Sequence, residues 1–97
     1  MIKVGDGVTV VVGTDQHGAT VERVEARSIW ARLDKRTNVG DYHSQEWVHE
    51  PNPQGRLEQF TLRRTKHGPK WVASGHSVGD GVYLSLGGRR SYYDPSF

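Results

Sequence analysis

The chain has no cysteine among its 97 residues. Disulfide bonds and thiolate metal sites are therefore excluded, and with them the small secreted proteins that depend on cross-links. Packing alone has to stabilise the fold. A chain of this length forms one small domain, residues 1–97, and a domain of this size has no room for a deep enzyme cleft between two lobes.

Long apolar runs are missing as well. No segment approaches the roughly 20 apolar residues that a membrane-spanning helix needs. Residues 1–6 lack the apolar core of a secretory signal peptide. We therefore expect a cytoplasmic protein that has no membrane partner.

A large excess of charge of one sign is also absent, since the formal net charge is only +2. The charge is unevenly distributed: residues 1–50 carry six Lys/Arg and eight Asp/Glu, whereas residues 51–97 carry seven and three. Proteins that coat duplex DNA usually have a stronger and denser basic excess. The pattern disfavours such coating and leaves room for one localised anion site in the second half.

The sequence also lacks the apolar periodicity of amphipathic helices. The chain has twelve glycines, four prolines and many β-branched residues, and no window repeats apolar residues at i, i+3, i+4 and i+7. Short β-branched runs between turn signals recur instead, and Ile29, Ala31 and Leu33 share one face of such a run. The runs predict strands over residues 8–12, 19–25, 28–34, 58–64, 70–73 and 82–86.

The spacing of these strands predicts an all-β fold. We expect a turn at residues 15–18, and a long polar loop over residues 35–55 with a short strand at 44–49. Short strands without a helix to cover them are best completed by closing into a barrel, and the opening hairpin looks like that of SH3-like barrels. The prediction is a small SH3-like barrel of five to seven mostly antiparallel strands.

The C-terminus ends in three aromatic residues within its last six, Tyr92, Tyr93 and Phe97. Each such ring can bury roughly 150–250 Å², whereas a free tail is normally small and polar. We therefore expect this aromatic tail to be docked. Arg89 and Arg90 precede it and could grip a phosphate while Tyr92 stacks on a base. Alternatively, the rings close an open end of the barrel.

The first turn offers a second candidate site, Asp15 with His17, and Thr20 beyond them. A carboxylate near an imidazole can orient a hydrogen-bonded ligand. The alternative is an Asx turn, in which Asp15 only accepts hydrogen bonds from backbone N–H groups.

The basic segment 63–71 offers a third candidate site, in which Lys70 contacts phosphate beside Trp71. Arg63 and Arg64 are neighbours on a strand and so point to opposite faces. The alternative is a hairpin tip whose charges are simply solvated.

The segment 43–49 offers a fourth candidate site, with Ser44 and Gln45 as hydrogen-bonding groups at a pocket edge and Trp47 as a ring wall. His43 and His49 invite a metal interpretation, but their spacing matches no established zinc signature. We expect no metal and no cofactor. No sequence motif indicates a nucleophile with a base placed to activate it, so we do not expect an enzyme.

One further pattern is spread over nearly the whole chain. Its pieces are Thr14-Asp15 before Thr20-Val21, residues 34–37, Ser44-Gln45, the turn 68–71, and Arg90 ahead of residues 93–97. With these pieces the chain resembles a family of short, mostly uncharacterised bacteriophage and prophage proteins that end in Tyr-x-Asp-Pro-Ser-Phe. The resemblance implies a viral protein that acts in the bacterial cytoplasm, and it assigns no reaction.

The leading hypothesis is a non-catalytic protein that sequesters a small phosphate-bearing, nucleotide-type ligand. By analogy with small phage proteins that act by binding, that ligand would be a host immune messenger. An enclosed site on so small a barrel needs a second copy, so we expect a homo-oligomer. Two alternatives stay open: a small barrel that binds RNA or single-stranded DNA, and an adaptor whose protein partner contacts Trp47 and Trp71.

Overall fold

The computed structural model describes residues 2–39 and 47–88. Within them the chain forms eight strands, and a short 3₁₀ turn, Val78–Asp80, precedes the last one. The strands are β1 (Gly7–Val12), β2 (Asp15–Glu25), β3 (Ser28–Leu33), β4 (Lys35–Asn38), β5 (Trp47–Glu50), β6 (Leu57–Thr65), β7 (Gly68–Ala73) and β8 (Val82–Leu86).

Six of the strands form a closed barrel in the order β1-β2-β3-β6-β7-β8, and β8 pairs with β1 to close it. Every pair of neighbours is antiparallel. The prediction of a small all-β, SH3-like barrel is thereby confirmed. No helix in the described ranges is long and apolar enough to cross a membrane.

The inner face of the barrel carries the core. Ile29 and Ala31 are fully buried there, as their shared face predicted, and Leu33 packs against the same cluster. Phe60 is the largest fully buried side chain, and burial of such a side chain stabilises the fold by about 1.5–3 kcal/mol. The other members of the cluster are Val8, Val10, Ala19, Val21, Ala73 and Leu84.

Strands β4 and β5 pair only with each other and form a ribbon outside the barrel. The prediction that residues 35–55 are mostly loop was therefore wrong for residues 35–38. Residues 35–38 are polar throughout and have no apolar alternation, as fits a ribbon that pairs with no strand of the barrel. A strand near residues 44–49 was predicted; β5 begins at Trp47, and residues 44–46 lie outside the described residues.

The first turn also differs from its prediction. The chain reverses at Gly13-Thr14, where Gly13 has a φ of 60°, and Asp15–Gly18 belong to β2. Gly18 therefore lies within a strand and not in a turn. It is buried, and a Cβ at this position would lie 2.6 Å from Cδ2 of His49 on the ribbon. The glycine lets the ribbon approach the barrel wall.

Because neighbouring strands run in opposite directions, the barrel has two distinct ends. We call one the mouth end; β1, β3 and β7 finish there and β2, β6 and β8 begin there. We call the other the hairpin end, because the β6–β7 turn lies there. Ile2, which precedes β1 at the hairpin end, packs against the core cluster.

Candidate functional site

The β4–β5 ribbon is fastened to the outer face of β2. Thr20 donates a hydrogen bond from Oγ1 to Oδ1 of Asp34 at 2.6 Å, and the Asp34 N–H donates to the Gly18 carbonyl at 2.9 Å. Arg36 donates to the Gln16 carbonyl at 3.3 Å. Thr20 therefore helps to hold the ribbon against β2. It does not belong to the predicted site of Asp15 and His17.

Trp47 lies within this contact. The guanidinium carbon of Arg36 is 4.6 Å from the centre of the Trp47 ring, a distance typical of a cation–π interaction. Most of the Trp47 surface is buried. The ring is thus already covered on one side by a charged side chain of the same ribbon.

Asp15 and His17 share a face with Ala19 and Val21, which belong to the core. Both therefore lie on the inner side of β2, at the mouth end. Burial lowers the pKa of the His17 imidazole below its ordinary value, the charge of Arg36 lowers it further, and the Asp15 carboxylate opposes both effects. These effects favour the neutral form of the His17 imidazole.

A cavity of about 240 Å³ opens at the mouth end beside His17. Its apolar walls include Phe60, Ala73 and Val10. Three further polar side chains, Arg56, Glu58 and His76, complete the lining. The sequence analysis did not select these three residues, although Glu58 lies two positions before Phe60 on one strand and so shares its inward face.

The oppositely charged Arg and Glu side chains that line this cavity pair with each other. Arg56 forms an ion pair with Glu58, and His76 Nδ1 lies 3.2 Å from Oδ2 of Asp80. Hydrogen bonds from the backbone and hydroxyl of Ser77 are the main reason that the pKa of Asp80 lies below its ordinary value. The cavity thus combines apolar walls with polar groups, and the charges of Arg56 and Glu58 in its lining offset each other.

The hairpin end has the opposite character. Arg63 and Lys70 lie directly opposite each other across β6 and β7, and like charges in this position repel. The turn between the strands is tight, because the Thr65 hydroxyl donates to the Gly68 carbonyl at 2.7 Å and accepts the His67 N–H at 3.1 Å.

More basic side chains surround this pair. Arg64 and Lys66 are exposed at the tip, and an open groove of about 640 Å³ runs along residues 64–70 and Val78. Arg27 approaches from the β2–β3 turn and donates to the Leu62 carbonyl at 3.2 Å. Within the described part of the chain, none of these basic residues forms an ion pair with an acidic side chain.

Lys70 and Trp71 occupy different faces of β7. The Lys70 ammonium lies 4.0 Å from the centre of the outward-facing Tyr83 ring. Trp71 points the other way and packs against the core cluster beside Leu84. It is a wall of the core, not a ring exposed to a ligand.

The predicted site residues therefore do not form one cluster. Asp15 and His17 lie inside the mouth end, Trp47 lies on the ribbon, and Lys70 lies on the outer face towards the hairpin end. Five further predicted site residues lie outside the described residues, as does the predicted docking of the aromatic tail: Ser44, Gln45, Arg89, Arg90 and Tyr92.

Residues 2–39 and 47–88 contain no group of three His, Cys, Asp or Glu side chains placed to hold a metal ion. Comparison with protein-family models, with curated proteins and with solved structures gave no match to this chain. The features that bear on function are therefore the cavity at the mouth end and the basic groove along the β6–β7 hairpin.

Proposed function

We propose that this protein is a non-catalytic binding protein for a phosphate-bearing, nucleotide-type ligand, and that the hairpin end of the barrel receives the phosphate. The observation that carries the proposal is the opposition of Arg63 and Lys70 across β6 and β7, without a described acidic partner for either. Two unpaired cations in this position repel each other, and a bound anion would turn that repulsion into attraction.

The two side chains complement each other chemically. The planar guanidinium of Arg63 can donate two parallel hydrogen bonds to phosphate oxygens, whereas the Lys70 ammonium is a compact point charge. The exposed Arg64 and Lys66 add to the local positive potential. A phosphate group would be held between strands that are themselves fixed by the barrel.

The C-terminal residues are part of the proposal because of their residue types. Gly88 is the last described residue, and its carbonyl accepts a hydrogen bond of 2.7 Å from the Thr9 hydroxyl on β1. Arg89 and Arg90 follow next in the sequence. We include them as further phosphate ligands, and Tyr92 as the ring that stacks on a base.

Calorimetric titration of the intact protein with pyrophosphate and with ADP tests the proposal. Lys70→Gln should weaken the binding of both by about tenfold, the cost of one charged hydrogen bond of roughly 1.4 kcal/mol. Lys35→Gln is the matched control, since it removes one lysine from the ribbon. Equal effects of the two substitutions, or no phosphate binding by the wild-type protein, would refute the proposal.

The open shape of the groove favours a second candidate, a single strand of RNA or DNA. The basic residues follow an accessible groove along the hairpin and do not line an enclosed pocket, as in barrels that track a nucleic-acid backbone. A 12-nucleotide oligouridylate should then bind far more tightly than ADP, with an affinity that falls steeply as salt is added.

The biological setting follows from the resemblance to short phage proteins. In that setting the ligand would be a host immune messenger, and its sequestration would blunt a bacterial defence. A second copy of the chain would enclose the open groove, so we propose a homo-oligomer. Light scattering of the purified protein tests the oligomer, and mass spectrometry of co-purified small molecules tests the messenger.

A further inference from the structure

The mouth cavity lies at the other end of the barrel from the β6–β7 turn, and its lining shares no residue with the basic groove. Phe60 is fully buried, and Val10 and Ala73 are 3 % and 4 % exposed, so the cavity reaches the apolar core. Its volume of about 240 Å³ is below the roughly 300–1,000 Å³ of pockets for drug-sized ligands. A ligand of one or two fused rings matches this size.

The polar groups of the cavity specify a neutral ligand. The charge of Arg56 is offset by Glu58 within the same lining, so a phosphate would meet a carboxylate as well as a guanidinium. The half-buried His17 lines the cavity, and the neutral imidazole that burial favours presents one N–H donor and one ring-nitrogen acceptor. An imidazole in this form can hydrogen-bond the edge of a heterocycle that has both donors and acceptors.

We propose that the mouth cavity is a binding site for a neutral, planar heteroaromatic ring of about nucleobase size. The ring faces contact Phe60, Val10 and Ala73, and the ring edge hydrogen-bonds with His17. This site goes beyond the proposed function, because it recognises an uncharged ring and does not involve the basic hairpin.

Adenine and indole are suitable probes, since both are planar and adenine alone has several hydrogen-bonding atoms on its edge. Calorimetry on the full chain should show binding of adenine. Ala73→Leu places a larger side chain in the cavity, and Ala26→Leu is the matched control on the β2–β3 turn at the hairpin end. Loss of binding by at least tenfold, about 1.4 kcal/mol, is expected for Ala73→Leu alone.

Two measurements keep the proposal open to refutation if Ala73→Leu fails to fold. In the wild-type protein, nuclear Overhauser effects should connect adenine protons to the Phe60 ring and the Val10 methyl groups. His17→Phe, which keeps a ring but removes the hydrogen-bonding nitrogens, should weaken adenine more than indole. Absence of adenine binding, or contacts to adenine elsewhere on the barrel, would overturn the proposal.

The test is independent of the phosphate site. Adenine has no phosphate, and pyrophosphate has no ring, so each probe reports on one end only. Failure of adenine to bind would leave the pyrophosphate result intact, and failure of pyrophosphate would leave the adenine result intact.

Discussion

The two ends of this barrel are built from the same six strands and differ in how their charges are balanced. At the mouth end, Arg56 pairs with Glu58 and His76 contacts Asp80, around a cavity that reaches the core. At the hairpin end, Arg63 and Lys70 lie side by side with no acidic partner among the described residues.

The difference separates residues that maintain the structure from residues that are available to a ligand. Paired charges at a surface have little left to offer an anion, because each is already offset by its neighbour. Unpaired cations held on a rigid hairpin keep their full attraction for a phosphate. The contrast yields predictions for stability as well as for binding.

The largest expected effect is at the mouth end. Phe60→Ala should destabilise the protein by about 3–5 kcal/mol, because it removes the largest buried side chain and leaves a cavity. Arg63→Ala at the hairpin end should change stability by less than about 0.5 kcal/mol, because its side chain is exposed. Urea unfolding followed by circular dichroism measures both. Similar losses for the two variants would contradict the division between the ends.

An intermediate effect is expected where the ribbon meets β2. Gly18→Ala should cost about 1–3 kcal/mol, since the new Cβ would lie 2.6 Å from Cδ2 and 2.9 Å from Nε2 of His49. In a His49→Ala background the same substitution should cost much less, because the blocking ring is gone. A double-mutant cycle of urea unfolding measures this coupling. Equal costs in the two backgrounds would show that the ribbon does not pack on Gly18.

A smaller effect, of opposite sign at the two ends, is expected from the charged pairs. Arg63→Glu should stabilise the protein by about 0.2–1 kcal/mol, because it replaces repulsion of Lys70 by attraction and leaves the contact of Lys70 with Tyr83 in place, and it should weaken phosphate binding. Glu58→Lys should be destabilising, because it leaves Arg56 beside a like charge. Thermal melts at low and high salt measure both, and the differences should shrink in high salt. A destabilising Arg63→Glu would mean that Arg63 has an attractive partner in the native protein.

The smallest effect concerns pH, and only its direction is predicted. Burial of His17 depresses its pKa in the folded state, so the unfolded chain binds more protons between the folded pKa and the ordinary value near 6.5. Stability should therefore fall as the pH is lowered from 7 through this window. His17→Gln should flatten the profile there relative to wild type, as measured by urea unfolding at several pH values. A profile unchanged by the substitution would contradict the assignment.

Local sequence patterns predicted the barrel well. Short runs with β-branched or aromatic residues between turn signals mark all six barrel strands, and the alternation of Ile29 and Ala31 correctly indicates an inward face. The alternation of inward and outward side chains depends only on residues two positions apart in the sequence. It is therefore present in any sheet that buries one face.

The ribbon and the mouth cavity could not be predicted in the same way. Strand β4 has no apolar alternation, because it packs outside the core. Gly18 was assigned to a turn because glycine is common in turns, but its role is to allow the close approach of His49. Arg56, Glu58 and His76 come together only because β6 and the end of β7 are adjacent to each other in the closed barrel. Long-range neighbours of this kind leave no short-range signal in the sequence.

The most direct test of the division between the two ends is a nitrogen-15 NMR titration of the full chain with pyrophosphate. The account predicts that the amide signals of Arg63, Lys66 and Lys70 shift most, while those of His17 and Glu58 stay in place. Shifts concentrated around His17 and Glu58, with the hairpin signals unmoved, would contradict it.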